Sequence, residues 1–440
     1  MTRKNTGGSG SVNGPAIGRR TLIKGGLAAG AAMATNIPLV NIAGAASNVI
    51  RIGHIDTLTG PRGDFGEASP WVLGKVRDHL KHGLKVRGKT YQVEILSRDS
   101  QSDPNRVASI GNELILRENV DLLLTGDGIS TPALEMCDAN GTPAIQTMTQ
   151  LEPFYSARGS GPDKGFPWSF IFFWTSAGIS KQYMGNWNEI QTNKTVGSFF
   201  VDIEFAISFG QALSSDMAKG GFKEIKGGNF KQETDDFSAQ ITKFKNGNCD
   251  IITGLLWTPN MATFWNQARQ AGLKPEAVTL AAALLFPSGP NSLGDHGDGM
   301  STEVWWTPNW PYKSSITGQT ARQFTDEWTA TTGKQWTQPQ GYNHALWEVG
   351  LEALAKSADP KDREAVRNSI QSLNMETIVG KVNFKDSKNK SAAETELAAG
   401  QWRKAKSGKF KYDLLVTYNG EAPDVPVQSE FVKLSKLQNY

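Results

Sequence analysis

Cysteine is almost missing from this chain: its 440 residues contain two, Cys137 and Cys249. A disulfide framework is excluded, and stability has to come from packing. Cys137 falls in an expected helix and Cys249 at the start of an expected strand, which reads as two separate buried thiols. Histidine is also scarce, with five. The His/Asp clusters singled out are His54-Ile55-Asp56 and Asp295-His296-Gly297-Asp298, and neither has a second histidine at ligand spacing. The first reads as a strand with its loop and the second as a solvated turn, so no metal and no cofactor is expected. There is no Gly-x-Ser-x-Gly elbow and no dinucleotide fingerprint, no catalytic constellation is nominated and no enzyme is expected. Past residue 46 no apolar run is long enough to cross a membrane.

Acidic residues are absent until Asp56. What stands there instead is Gly18-Arg19-Arg20-Thr21-Leu22-Ile23-Lys24, followed by an Ala/Gly-rich apolar stretch that ends in Ala43-Gly44-Ala45-Ala46. Paired arginines, a mildly apolar centre and a small-residue cleavage site read as a twin-arginine signal peptide over residues 1–46, which places the mature chain in the periplasm. The alternative, a membrane anchor, is disfavoured by the Gly, Thr and Asn residues between positions 25 and 40. Five of the 46 Lys and Arg residues precede Ser47 and none of the 43 acids does, leaving 41 cations against 43 acids, a net charge of about −2. Near neutrality with interspersed signs does not supply the positive field that nucleic acid requires, so no nucleic-acid partner is expected.

The mature length exceeds what one core usually organises, and two lobes are expected. Residues 49–56 are apolar enough for a buried strand and break at Leu58-Thr59-Gly60-Pro61. A helix over 71–80, a strand over 91–96, a helix over 108–117 entered through Asp103-Pro104, a strand over 121–124, a helix from Ser130-Thr131-Pro132 and a short strand over 143–145 follow. The rhythm restarts with a strand over 195–201, a helix after Gly210, a helix over 237–245 capped by Asp235 or Asp236, a strand over 249–255, a helix over 260–270 and a strand over 278–282. Such alternation specifies an α/β fold with parallel sheets covered by helices on both faces. No sequence repeat relates the halves.

In such sheets a ligand sits beyond the carboxyl ends of the strands. That rule selects the loops at 57–66, 126–131 and 146–150 in the first lobe and at 202–210, 257–260 and 283–289 in the second. They combine hydroxyls with aromatics, as a cleft for a small molecule does.

At these residues the sequence resembles the type I periplasmic solute-binding proteins of ABC importers, in the leucine/isoleucine/valine-binding branch. The matching pieces are Leu58-Thr59-Gly60-Pro61 with Phe65-Gly66, Asp103-Pro104-Asn105, Asp236 to Gln240, Gln267 to Lys274, Gly341-Tyr342-Asn343-His344-Ala345 and Gly380 to Phe384. The resemblance implies two doubly wound parallel-sheet lobes joined by three crossovers, with lobe one at 48–173 plus 306–376 and lobe two at 174–305 plus 377–440. It implies a monomer that captures a small-molecule ligand by closing its lobes and delivers it to an ABC importer permease in the inner membrane. By position it makes Phe65 the aromatic that covers the ligand. Ser130, with Thr131, becomes the hydroxyl at a helix N-terminus that receives a ligand carboxylate. The competing role for Ser130 is to cap its own helix. Thr147 and Thr149 match a second anchoring loop, Trp257 an aromatic wall and Phe209-Gly210 an aromatic-glycine pair, with Asp202 and Phe205 in the same loop.

The sequence departs from the family where amino-acid binders present an acid to the ligand ammonium. Here lobe two reads Leu280-Ala281-Ala282-Ala283-Leu284-Leu285-Phe286, with Ala283 at the acid's place. Arg62 and Asp64 put charges in the first loop, and Asp127 puts an acid in the second. An ammonium left unpaired out of water costs several kcal/mol. The expected ligand is therefore a small carboxylate or amide, an aromatic one included, rather than a branched-chain amino acid held as a zwitterion. The alternatives are an amino-acid binder whose acid is relocated to Asp127, Asp202 or Glu204, and a periplasmic sensor for a membrane signalling protein. Trp265, Trp328 and Trp347 fall at helical spacings that suit core, whereas Trp305, Trp306 and Trp310 fit either core or site.

Overall fold

The computed structural model describes residues 48–126 and 128–437, with Glu204 by its backbone alone. The leader expected at 1–46, Asp127, the Glu204 side chain and the last three residues of the expected second lobe lie outside the described residues.

The first lobe runs β1 (Val49–Asp56), α1 (Ser69–Leu80), β2 (Leu84–Val86), β3 (Lys89–Asp99), α2 (Pro104–Asn112), β4 (Leu122–Thr125), α3 (Thr131–Asn140), β5 (Ala144–Gln146), α4 (Leu151–Ser156) and β6 (Ser169–Phe173). The second runs α5 (Ser176–Asn188), β7 (Thr195–Val201), α6 (Glu204–Lys219), β8 (Lys223–Phe230), α7 (Ser238–Asn246), β9 (Ile251–Leu256), α8 (Thr258–Gln270), β10 (Ala277–Ala282), α9 (Ser288–Ser292) and β11 (Ser301–Val304). The chain returns to the first lobe with α10 (Ala321–Thr332), α11 (Gln338–Lys356), α12 (Arg363–Gln371), the hairpin β12 (Asn374–Thr377) and β13 (Gly380–Asn383), and β14 (Ala392–Glu394). It closes in the second with β15 (Leu397–Lys404) and β16 (Tyr412–Glu421).

Two seven-stranded sheets result, in the orders β14-β6-β5-β4-β1-β3-β2 and β16-β15-β11-β10-β9-β7-β8. Within each, five parallel strands repeat one doubly wound pattern, second-first-third-fourth-fifth, and the fold class expected from alternation holds. Every residue of β7 and β9 is buried, the pattern of strands covered on both faces by helices. The chain passes between sheets three times, after β6, after β11 and after β14. Helix boundaries follow local chemistry. Asp103 Oδ1 accepts the Asn105 N–H at 2.9 Å, and Pro104 opens α2 where its missing N–H leaves no donor unpaired. Before α7, Asp236 accepts the Ser238 N–H at 2.9 Å.

The third crossing lies later than expected. Residues 377–395 are expected in lobe two, yet β14 pairs in parallel with β6, Ala392 opposite Ile171, so this stretch belongs to the first sheet. The cause is two tryptophans: the Trp306 and Trp310 indole N–H groups donate to the carbonyls of Ile378 at 3.0 Å and Val379 at 3.2 Å. They fix the hairpin turn on lobe one, and Glu348 Oε2 of α11 accepts the Ile378 N–H at 2.9 Å. Both cysteines are buried and unbonded. Among the described residues no helix is long and apolar enough to cross a membrane.

Candidate functional site

A cavity of about 290 Å³ lies between the lobes at the carboxyl ends of their strands. Five sites named by the sequence come together in its wall: Phe65, Thr149, Phe205, Phe209 and Trp257. A smaller cavity of about 180 Å³, lined by residues such as Trp265, Arg269 and Leu434, belongs to lobe two alone. The cavity between the lobes is the candidate site because both sheets aim their strand ends at it.

The loop after β1 is tied down before it reaches the cavity. Strand β3 runs as far as Asp99, which pairs with Asp56, and there its carboxylate accepts the Leu58 N–H at 3.0 Å and the Thr59 hydroxyl at 2.6 Å. Burial pushes the Asp99 carboxyl up, but the Thr59 hydroxyl and the neighbouring N–H groups outweigh it and hold the group below its ordinary value. A tight turn at Gly63–Gly66 then presents Phe65. A Cβ on Gly66 would meet the Thr57 carbonyl oxygen at 2.1 Å, so only glycine lets the loop fold back here. Asn343 Nδ2 of α11 donates to the Phe65 carbonyl at 3.0 Å. The Phe65 ring meets Phe286 of lobe two edge-on at 5.1 Å, and the Arg62 guanidinium lies over it at 4.8 Å.

Four expected residues stay out of the wall. Ser130 stands at the N-terminus of α3, but its backbone is already helical (φ −79°, ψ −2°) and its hydroxyl makes no cap bond, while Gly128 and Ile129 form the wall beside it. Thr131, the first residue of α3, does not reach the cavity either. Thr147 is buried and donates to the Phe172 carbonyl at 2.9 Å, joining β5 to β6 instead of facing a ligand. Asp202 is exposed, its N–H bonded to the Phe230 carbonyl at 2.7 Å, and lies outside the cavity. Thr149, by contrast, lines the cavity and accepts from Gln146 Nε2 at 3.0 Å.

Other wall residues escape the sequence reading. Met148, just past β5, and Ala282, the last residue of β10, both have left-handed backbones, φ 57° and 62°, at a cost of about 1 kcal/mol each. Phe173, Trp174 and Trp305 form an aromatic corner, with ring centroids 4.4 Å apart between Phe173 and Trp174 and 5.3 Å between Phe173 and Trp305. Trp305 is thus a wall residue, while Trp306 and Trp310 brace the hairpin and Trp265, Trp328 and Trp347 are buried as core. The indole N–H groups of Trp174, Trp257 and Trp305 have no acceptor among the described residues.

The most consequential of these is Glu303. Its strand, β11, is missing from the expected elements, although Thr302 to Trp306 is a β-branched and aromatic run just past the glycine-rich loop. Ser301 and Glu303 share one face of β11, and α5 covers it: Trp187 Nε1 donates to Thr279, which bonds Ser301, and the Tyr183 hydroxyl donates to Glu303 Oε2. Thr302 donates to the same oxygen at 2.9 Å. Burial pushes the Glu303 carboxyl above its ordinary range, against the lowering pull of the Tyr183 hydroxyl. Ala283 stands at the family acid's expected place and carries none; the next strand supplies one, Glu303, which was not among the expected substitutes Asp127, Asp202 and Glu204. Arg62 and Glu303 are the charged wall residues among those described. No group of three or more His, Cys, Asp or Glu among the described residues is placed to hold a metal ion.

Solved structures share this architecture. The substrate-binding protein of a branched-chain amino acid transporter from Streptococcus pneumoniae, in complex with isoleucine, is 16% identical; the match covers 83% of this chain and 99% of that one, with a TM-score of 0.65. An ABC transporter solute-binding protein from Rhodopseudomonas palustris BisB5, in complex with 3,4-dihydroxybenzoic acid, is 17% identical over 89% of this chain and all of that one, TM-score 0.65. Another from R. palustris, in complex with 4-hydroxybenzoate, is 17% identical over 85% of this chain and 98% of that one, TM-score 0.65. At such identities these likenesses establish the fold. Sequence carries the relationship further, because residues 49–409 match the family described as periplasmic binding protein, and the chain belongs to that family.

Proposed function

We propose that this protein is the extracytoplasmic receptor of an ABC importer, binding a small organic carboxylate with an aromatic or apolar body and handing it to a membrane permease without chemical change. The observation that carries the reading is the composition of the wall. Aromatic side chains come from both lobes, Arg62 offers a cation on the lobe-one side, and three indole N–H groups lack acceptors among the described residues. An anion with a flat body answers each of these: it pairs with the guanidinium, supplies acceptor oxygens and fills the aromatic space. Two structures of the same fold were solved with hydroxybenzoates, which supports the class. Export through the arginine pair and a monomeric state belong to the same proposal.

A second reading, an amino-acid receptor with a relocated acid, is favoured by one observation, the presence of Glu303 in the lobe-two wall. Calorimetry with an aromatic acid, leucine, and the leucine analogue lacking its amine separates the two. The aromatic acid is expected to bind, and Trp257→Ala to weaken it by about 2 kcal/mol as a lost aromatic wall does. Binding of leucine alone overturns the proposal in favour of the second reading.

A further inference from the structure

Resting on the proposed aromatic-acid reading, we infer that Glu303 is the specificity-determining residue of lobe two and accepts a single hydrogen bond from a hydroxyl on the ligand, so that the ligand class is a hydroxylated aromatic acid. The argument is one of counting. Glu303 is 2% exposed and lines the cavity. Tyr183 and Thr302 both donate to Oε2, the residue's own backbone N–H also bonds the carboxyl, and no other side chain among the described residues donates to Oε1. One acceptor oxygen is therefore left on a carboxyl whose position is fixed from behind. Every other side chain that lobe two contributes to the wall is apolar or aromatic. An ammonium brings three N–H donors and needs an acceptor for each once it leaves water, whereas a hydroxyl brings one. The lobe-two wall matches the hydroxyl.

The ligand then spans the cleft, its carboxylate toward Arg62 of lobe one and its hydroxyl toward Glu303 of lobe two. Tyr183 does not line the cavity and acts through Glu303, which makes it a positioning residue. A ligand without the hydroxyl leaves Oε1 buried and unpaired, and one that bears a methoxy group there sets acceptor against acceptor.

The test is calorimetry of the mature protein with benzoate, 4-hydroxybenzoate, 4-methoxybenzoate and leucine, repeated on Glu303→Gln, Glu303→Leu and Tyr183→Phe, each checked by thermal melting. 4-Hydroxybenzoate is expected to bind about tenfold or more tighter than benzoate, and 4-methoxybenzoate no tighter than benzoate. In Glu303→Leu that preference is expected to vanish, with Glu303→Gln and Tyr183→Phe losing part of it. Should the Glu303 variants fail to fold, Tyr183→Phe carries the test alone, and an undiminished preference there overturns the inference. A preference that survives in Glu303→Leu, or equal binding of the hydroxy and methoxy compounds, also overturns it and leaves the aromatic-acid reading standing. Binding of leucine that is lost in Glu303→Gln assigns the carboxyl to an ammonium instead. Failure of all three benzoates to bind refutes the aromatic-acid class and this inference together.

Discussion

Burial decides the protonation of His344. Its Nε2 is bonded to the Ser314 hydroxyl at 2.7 Å, its Nδ1 has no partner among the described residues, and the ring is fully enclosed. Burial, then the charges of Lys75 and His79, push it down to about 3. Between that value and the ordinary 6.5 the unfolded chain binds a proton that the folded chain refuses. The stabilising effect is therefore complete above about pH 6.5 and is lost as the pH falls, the loss reaching about 3 kcal/mol at about pH 4. Urea unfolding from about pH 7 to about pH 4 is expected to show a fall in stability that is smaller by about that amount in His344→Gln. An equal fall in both proteins rules the residue out as a source. Single residues were the least legible part of the sequence. A hydroxyl at a helix start looks like an anchor in Ser130, but whether it caps, binds or merely packs depends on a ψ angle that no spacing reveals. Glu303 was invisible for a different reason: its partner Tyr183 lies 120 residues away, so nothing local marks the acid as placed.

Elements were more legible, and unevenly so. The central strands β1, β4, β7, β9 and β10 are apolar because helices cover both their faces, and an apolar run reports that directly. Strands at and next to the edges carry no such mark. β8 alternates irregularly between buried and exposed residues, and β15 and β16 join the second sheet antiparallel after a long stretch of chain spent mostly in the other lobe. Helix α11 shows what a motif can hide. The run Gly341 to Ala345 marks the family, and in the structure its polar side chains serve three different ends. Tyr342 bonds Thr395, Asn343 holds the Phe65 loop, and His344 bonds Ser314. Gly341 is there for space, since a Cβ would come within 2.4 Å of the Trp306 ring. Gly341→Ala is expected to push that ring off the Ile378 carbonyl and cost about 1–3 kcal/mol, measured by chemical denaturation. Hydrogen exchange in the β12–β13 hairpin should rise with it, and a neutral substitution with an unchanged hairpin would show that the ring yields freely.

At the scale of the molecule, the two-lobe plan was readable because its rhythm repeats, while the third crossing was misplaced because two tryptophan side chains, not any change in pattern, keep the hairpin with lobe one. The proposed export rests on Arg19 and Arg20 alone, since the rest of the leader does not differ from a general secretory signal. Replacing both by lysine is expected to abolish or strongly delay periplasmic accumulation, followed by cell fractionation, and unchanged accumulation would show that the address is read another way. Phe65 and Phe286 meet ring to edge from opposite lobes, as do Lys409 with the Gly333 carbonyl and Gln335 with the Tyr412 carbonyl, both at 2.7 Å. The first contact lies at the cavity and the other two outside its wall. Any ligand that needs both halves of the wall binds only the fraction of molecules in which the halves have met, so its apparent dissociation constant is the intrinsic one divided by that fraction. Contacts such as Lys409 to Gly333 therefore scale the affinity for all ligands together, and only the wall can change their ranking. Residues outside the wall can thus change the strength of binding without changing the choice of ligand, whereas wall residues such as Trp257 and Glu303 change both.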